Sequence, residues 1–212
     1  AAPLLAIPFL ALPPQAVQAS EGESHQAIRI ENSDSFTAAL KADGTVWAWG
    51  MNNFSQLAGF PEPSSTVPVQ IMGPDTSHPK MVQITVGETF GAALDKDGYV
   101  WVWGQIGSSS SMHYPQPTPI IIPNKTVQAI DAGRTFVMAL TTDGEVYTWG
   151  TGLSGELGQG ETPGGEIMTL SVNPAPVVKS DGTPLEGIIG IAAGDNFALA
   201  LDEDRNVHAW GG

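Results

Sequence analysis

FVMALTTDGEVYTWG, residues 136–150, reads as two short strands joined by a tight turn, and the same frame occurs four times in the chain. A Phe opens each copy and a Trp-Gly pair closes it at one fixed spacing. The copies run Phe36 to Trp49-Gly50, Phe90 to Trp103-Gly104, Phe136 to Trp149-Gly150 and Phe197 to Trp210-Gly211. Between copies the period drifts through 54, 46 and 61 residues. A fixed core with variable connections marks one supersecondary unit repeated, with insertions confined to its loops.

Working outward, each copy carries the same strand signals. A short apolar strand comes first, at Ala27–Ile30, Met81–Val86, Val127–Ala132 and Ile188–Ala193. A tight turn leads to the Phe: Asp34-Ser35, Glu88-Thr89, Arg134-Thr135 and Asp195-Asn196. The second strand (TAAL, GAAL, VMAL, ALAL) ends in KADG, DKDG, TTDG or DEDR. Gly44, Gly98 and Gly144 supply the positive φ that such a hairpin demands, and Arg205-Asn206 replaces the Gly in the last copy. The third strand, such as TVWAWG, is apolar on both faces, so it needs neighbours above and below. A fourth strand is expected at Val67–Ile71, Thr118–Ile122 and Ala175–Val178, and the prolines there place it at an edge.

Composition fits. Glycine (25) and proline (17) are abundant, as in a turn-rich all-β chain, and 42% hydrophobic residues argue against wholesale disorder. The net charge of −14, with eight scattered Lys and Arg, argues against a nucleic-acid partner. There is no cysteine, hence no disulfide, thiolate metal site or Cys nucleophile. Residues 1–19, AAPLLAIPFLALPPQAVQA, are apolar and uncharged, with small residues Val17 and Ala19 before Ser20. They read as the tail of a secretory leader, or as a disordered Ala/Pro linker, and are too short and broken for a membrane span. With no initiator Met and a fourth copy that stops at its Trp-Gly, the chain reads as cut at both ends.

The frame that continues FVMALTTDGEVYTWG with Gly155-Glu-Leu-Gly158 and then Gly160 resembles a repeat of the regulator of chromosome condensation family. The resemblance covers about residues 27–212 and fits the third copy best. The first copy is degenerate after its Trp-Gly (Ser55-Gln-Leu-Ala58-Gly59), and the second has a serine run, Ser108–Ser111, in its place. Where many members carry His, all four copies have Phe. The resemblance implies an all-β propeller of four-stranded antiparallel blades, with about four blades or part-blades of the usual seven present. The blades are expected at residues 27–72, 81–123, 126–179 and 187–212, the last one truncated, within a partial propeller over 20–212.

Other motifs yield to the repeat. Gly150-Thr-Gly152-Leu-Ser-Gly155 matches a dinucleotide fingerprint, but the glycines and proline that follow forbid the helix it needs. Asp95, Asp97, Asp202 and Asp204 read as hairpin-turn residues rather than a calcium loop, which needs six to eight oxygens. His25, His78, His113 and His208 fall at unrelated repeat positions, so no zinc site is expected, and His208 takes the place of Trp47, Trp101 and Tyr147 as a core variant. Asn53 and Asn124 stand in N-glycosylation sequons. No metal, cofactor or catalytic residue is assigned.

Loops 51–66, 105–117 and 151–174 all leave the Trp-Gly corner, so a propeller gathers them on one face, where rigid scaffolds carry recognition. Candidate partner-binding residues are Met51, Asn52, Phe54, Gln105, Met112, Tyr114, Leu153 and Glu156, beside Asn53, Ile106, His113 and Gln159. The function expected is a non-catalytic protein-binding scaffold, secreted or at a bacterial cell surface, with an extracellular protein as partner. The resemblance extends to a propeller-type inhibitor of β-lactamase, so inhibition of a secreted enzyme is one concrete form. Open blade edges also suggest self-association. Two alternatives stand beside it: guanine-nucleotide exchange with chromatin docking, the activity of the family's best-known member, and a lyase or glycan hydrolase using Glu156, Glu161 and Glu166.

Overall fold

Alternating small and large apolar residues, punctuated by Asp-Gly turns, fold into four antiparallel sheets. The computed structural model describes residues 27–212 apart from Pro163, so the leader-like segment and His25 lie outside the described residues. The first blade comprises β1 (Ala27–Asn32), β2 (Phe36–Lys41), β3 (Val46–Met51) and β4 (Ser64–Met72). The second comprises β5 (Met81–Val86), β6 (Phe90–Asp95), β7 (Val100–Gln105) and β8 (His113–Ile120). The third comprises β9 (Val127–Ala132), β10 (Phe136–Thr141), β11 (Val146–Thr151) and β12 (Leu170–Pro176). The fourth comprises β13 (Ile188–Ala193), β14 (Phe197–Asp202) and β15 (Val207–Gly211). Strand order follows the sequence in every sheet, and Phe always pairs the Gly of Trp-Gly, as Phe90 does Gly104.

The first strands of successive blades contact one another and line the axis, while the fourth strands lie outermost. Side chains alternate across each sheet. Phe90, Ala92 and Leu94 face the third blade, whereas Ala93 and Trp103 pack back on the first. Three cores of this kind fill the three blade junctions. Small residues make room for the indole: a Cβ on Gly91 would lie 2.1 Å from the Trp103 ring. Trp103 and Trp149 are wholly buried, each contributing about 2–3 kcal/mol of apolar burial. Trp49 and Trp210, on the outermost blades, are only partly so.

The hairpin glycines also join blades. The Gly44, Gly98 and Gly144 carbonyls accept the N–H groups of Met81, Val127 and Ile188 at 3.0–3.1 Å, tying each turn to the first strand of the next blade. A Cβ on Gly98 would meet Thr126 Cγ2 at 2.4 Å, so φ of +88° and close approach both require glycine there. In the last hairpin the positive φ falls on Arg205 (+68°) rather than on Asn206.

The fourth strands depart from expectation. They begin earlier, at Ser64, His113 and Leu170, and two of them end earlier, at Ile120 and Pro176. Pro115, Pro117 and Pro119 recur every second residue, as do Pro174 and Pro176, so the missing N–H groups all point to the outer, unpaired side. The corner loops are correspondingly shorter than expected, and Tyr114 belongs to β8, not to a loop. No helix among the described residues is long and apolar enough to cross a membrane.

Candidate protein-docking face

Each corner loop is fixed from within. Asn52 Nδ2 donates to the Phe60 and Glu62 carbonyls (2.7 and 2.8 Å), and its Oδ1 accepts the Leu57 N–H (2.9 Å). Buried Gln56 accepts the Phe54 N–H through Oε1 (2.9 Å). Glu156, at the same place in the third blade, accepts the Ser154 N–H (2.7 Å). Leu57 and Leu157 follow as buried anchors. With their bases locked, the loops hold Phe54 and Leu153 out to solvent, Leu153 at 74% exposure, beside exposed Met51 at the end of β3.

The second blade solves this differently. Ser109 Oγ accepts the Ser111 N–H, opening a 3-10 turn over Ser110–Met112, and Met112 takes the anchor position, wholly buried. Ile106 is buried too, its N–H on the Met112 carbonyl (3.0 Å).

The change has a consequence at the blade junction. Trp103 Nε1 donates to the Gln56 carbonyl (2.9 Å) and Trp210 Nε1 to the Glu156 carbonyl (2.8 Å), so the indole of one blade latches the corner loop before it. Trp149 meets the serine-run loop instead, and its buried Nε1 has no hydrogen-bond partner among the described residues, nor has Thr151 Oγ1.

Several expected contact residues are thereby corrected. Met112 and Ile106 are core, Tyr114 is half-buried against that core, Asn52 and Glu156 spend their polar groups on their own loops, and the Gln159 amide donates to Thr148 of β11. Gln105 stays half-exposed on β7, its amide donating to the Gly107 carbonyl (3.3 Å). Met51, Phe54 and Leu153 remain available.

Residues the sequence reading took as plain turns complete the face. The turns before each Phe are chained across blades: Ser35 Oγ donates to the Glu88 carbonyl, Glu88 N–H to that of Arg134, and Arg134 N–H to that of Asp195. Arg134 also grips Glu88 with both ends of its guanidinium (Nε–Oε2 3.0 Å, Nη2–Oε1 2.8 Å), holding that carboxyl below its ordinary value. Two cavities open here. An outer one of about 720 Å³ includes Phe54, Gln105, Thr151, Leu153 and Glu156 in its wall. An axial one of about 380 Å³ includes Asp34 and Asp195. Glu88 and Arg134 line both.

Elsewhere the polar residues serve turns. Asp95 accepts the Asp97 and Tyr99 N–H groups and Trp101 Nε1, at 2.9–3.0 Å. Asp202 pairs with His208 Nε2 (2.9 Å) in the same arrangement, so His208 stands in for the indole donor. His78 packs edge-on against Trp101 and His113 meets Ser55 Oγ. Of the carboxylates of the enzyme reading, Glu156 lines the corner cavity and Glu161 a separate outer cavity with Gly158 and Met168.

The profile described as the Regulator of chromosome condensation (RCC1) repeat matches residues 43–94 and 143–201, just over half of the chain. The human E3 ubiquitin-protein ligase HERC2 is 28% identical over 206 residues, 93% of this chain and 4% of that protein. The mouse RCC1-like G exchanging factor-like protein is 39% identical over 66 residues, 31% of this chain and 14% of that protein. Yeast RCC1 (Prp20), solved bound to Kap60, matches with a TM-score of 0.69 at 18% identity, over 91% of this chain and 45% of that one, a likeness of fold alone. The chain thus spans less than half the length of each.

Proposed function

Because the chain belongs to the regulator of chromosome condensation repeat family, we propose that it acts as a propeller scaffold that binds another protein, without catalysis, through its Trp-Gly corner face. The observation that carries this reading is the pair Phe54 and Leu153. Each is exposed on a loop whose base is locked, and both line one cavity although they come from different blades. Large side chains held out at such cost in hydration are what interface centres use. Glu156 already binds the Ser154 N–H and Glu161 lies at another cavity, which favours binding over carboxylate chemistry.

Guanine-nucleotide exchange on a small GTPase is the second reading, favoured by the mouse relative whose name carries that activity. Exchange is itself a protein-docking function, so the two share the face. An extracellular setting rests on residues 1–19 alone, and the relatives named above, from human, mouse and yeast, lend no support to a bacterial source.

The test compares the full chain with a Phe54→Ser, Leu153→Ser variant of unchanged circular dichroism. Immobilised wild type is expected to retain at least one protein, from the secretions or extract of its source, that the variant loses about tenfold. Equal retention by both proteins overturns the docking face. Release of a fluorescent guanine nucleotide from a small GTPase, accelerated or not, decides the second reading.

A further inference from the structure

Of the residues lining the two corner cavities, Arg134 is the one base among the described residues, against the carboxylates of Asp34, Glu88, Glu156 and Asp195. The other bases sit elsewhere. Lys41, Lys80, Lys96, Lys125 and Arg205 flank the hairpin turns at the opposite ends of the blades, Arg29 pairs with Glu31 on β1, and Lys179 lines the outer cavity of Glu161. Lys96 and Lys125 are already paired there, with Asp97 and with Asp143 and Glu145. The acidic balance of the chain therefore becomes a local excess at the corner face.

Arg134 does not cancel it. Its guanidinium is engaged by Glu88 and also feels Asp195 and Asp34, so one positive charge answers three carboxylates. Asp34 and Asp195 are exposed at the rim of the axial cavity. Immediately beside it, sharing the Glu88–Arg134 pair as a common wall, lies the outer cavity with Phe54 and Leu153. An acidic recess next to an apolar one is complementary to a segment that carries a cation and an apolar side chain close together. Thr151, whose buried hydroxyl has no partner among the described residues, stands in the same outer wall.

We propose that the corner face takes a cationic peptide segment of its partner. A Lys or Arg enters the axial cavity against Asp34, Glu88 and Asp195, and a neighbouring aliphatic or aromatic side chain enters the outer cavity against Phe54 and Leu153. The proposal deepens the docking reading and rests on it. Like charge suppresses acidic partners, and the attraction to basic ones is screened by salt.

The probe is a short fluorescein-labelled peptide with Arg and Lys flanking a central Leu, followed by anisotropy on the full chain. Its companions carry Gln in place of the basic residues, or Gly in place of Leu. The cationic Leu peptide is expected to bind, to weaken about tenfold from roughly 50 to 200 mM salt, and to weaken about tenfold again in an Asp34→Asn, Asp195→Asn variant. Leu153→Ser and the Gly peptide are each expected to lose severalfold. Equal binding of the Gln peptide, with no effect of Asp34→Asn, Asp195→Asn, overturns the cationic assignment. If Leu153→Ser still weakens that binding, the docking face survives. Failure of every peptide, or indifference to Leu153→Ser and Phe54→Ser, overturns both.

Discussion

The indole latch predicts unequal costs for two substitutions that look equivalent in sequence. Trp103 and Trp149 occupy the same strand position, opposite Gly91 and Val137, and both are wholly buried. Changing either to Phe removes the same atoms from a blade junction, so the packing loss largely cancels between them. The polar terms do not. Trp103→Phe gives up the hydrogen bond to the Gln56 carbonyl, about 1 kcal/mol net. Trp149→Phe removes a buried N–H that has no partner among the described residues, relieving about 1–3 kcal/mol. Trp103→Phe is therefore expected to be the more destabilising by about 2–4 kcal/mol. For a domain of this size that separates the melting midpoints by about 4–16 °C. Urea unfolding followed by circular dichroism gives the comparison directly. Equal losses, or a larger loss for Trp149→Phe, refute the latch as an energetic link between blades.

Two further outcomes follow from the turns. Gly98→Ala and Gly182→Ala both place a Cβ at positive φ, about 1–2 kcal/mol each, but Gly98 also meets Thr126 at 2.4 Å whereas Gly182 has nothing within 4 Å, so only the first is expected to cost clearly more in urea. The His208 hydrogen bond holds the Asp202 carboxyl down to about 2 from 3.8. A depressed carboxyl contributes stability above its unfolded value, so that contribution is present above about pH 3.8 and lost on acidification towards pH 2; in His208→Leu the carboxyl titration, followed by carbon NMR, should move up towards 3.8.

The Phe-to-Trp-Gly frame was legible because both of its ends face blade junctions, which tolerate few residue types. Phe36, Phe90 and Phe136 are buried there, while Phe197, on the last blade, stays 44% exposed among the described residues. The hairpins were legible for the same kind of reason, since Asp-Gly states its backbone conformation outright. The fourth strands were legible as edge strands but not in extent, because prolines at every second position mask where pairing starts until their shared outward side is known. Met112 was misplaced because a serine run looks like a linker. The available signal was distance: Met112 follows Gly104 at nearly the interval by which Leu57 and Leu157 follow Gly50 and Gly150. Arg134 and Glu88 were passed over as turn residues, since nothing in one chain's sequence says that two turns forty-six residues apart adjoin.

Blade-on-blade stacking is what holds the corner loops in one face, and it depends on the N–H groups of Met81, Val127 and Ile188 reaching the glycine carbonyls of the preceding blade. Amide hydrogen exchange on the full chain tests this most directly. These three amides should exchange as slowly as ladder amides such as that of Ala92, because they open only when two blades part. Exchange at the rate of an unprotected loop amide would mean that the blades do not stack, and the docking face would fall with them.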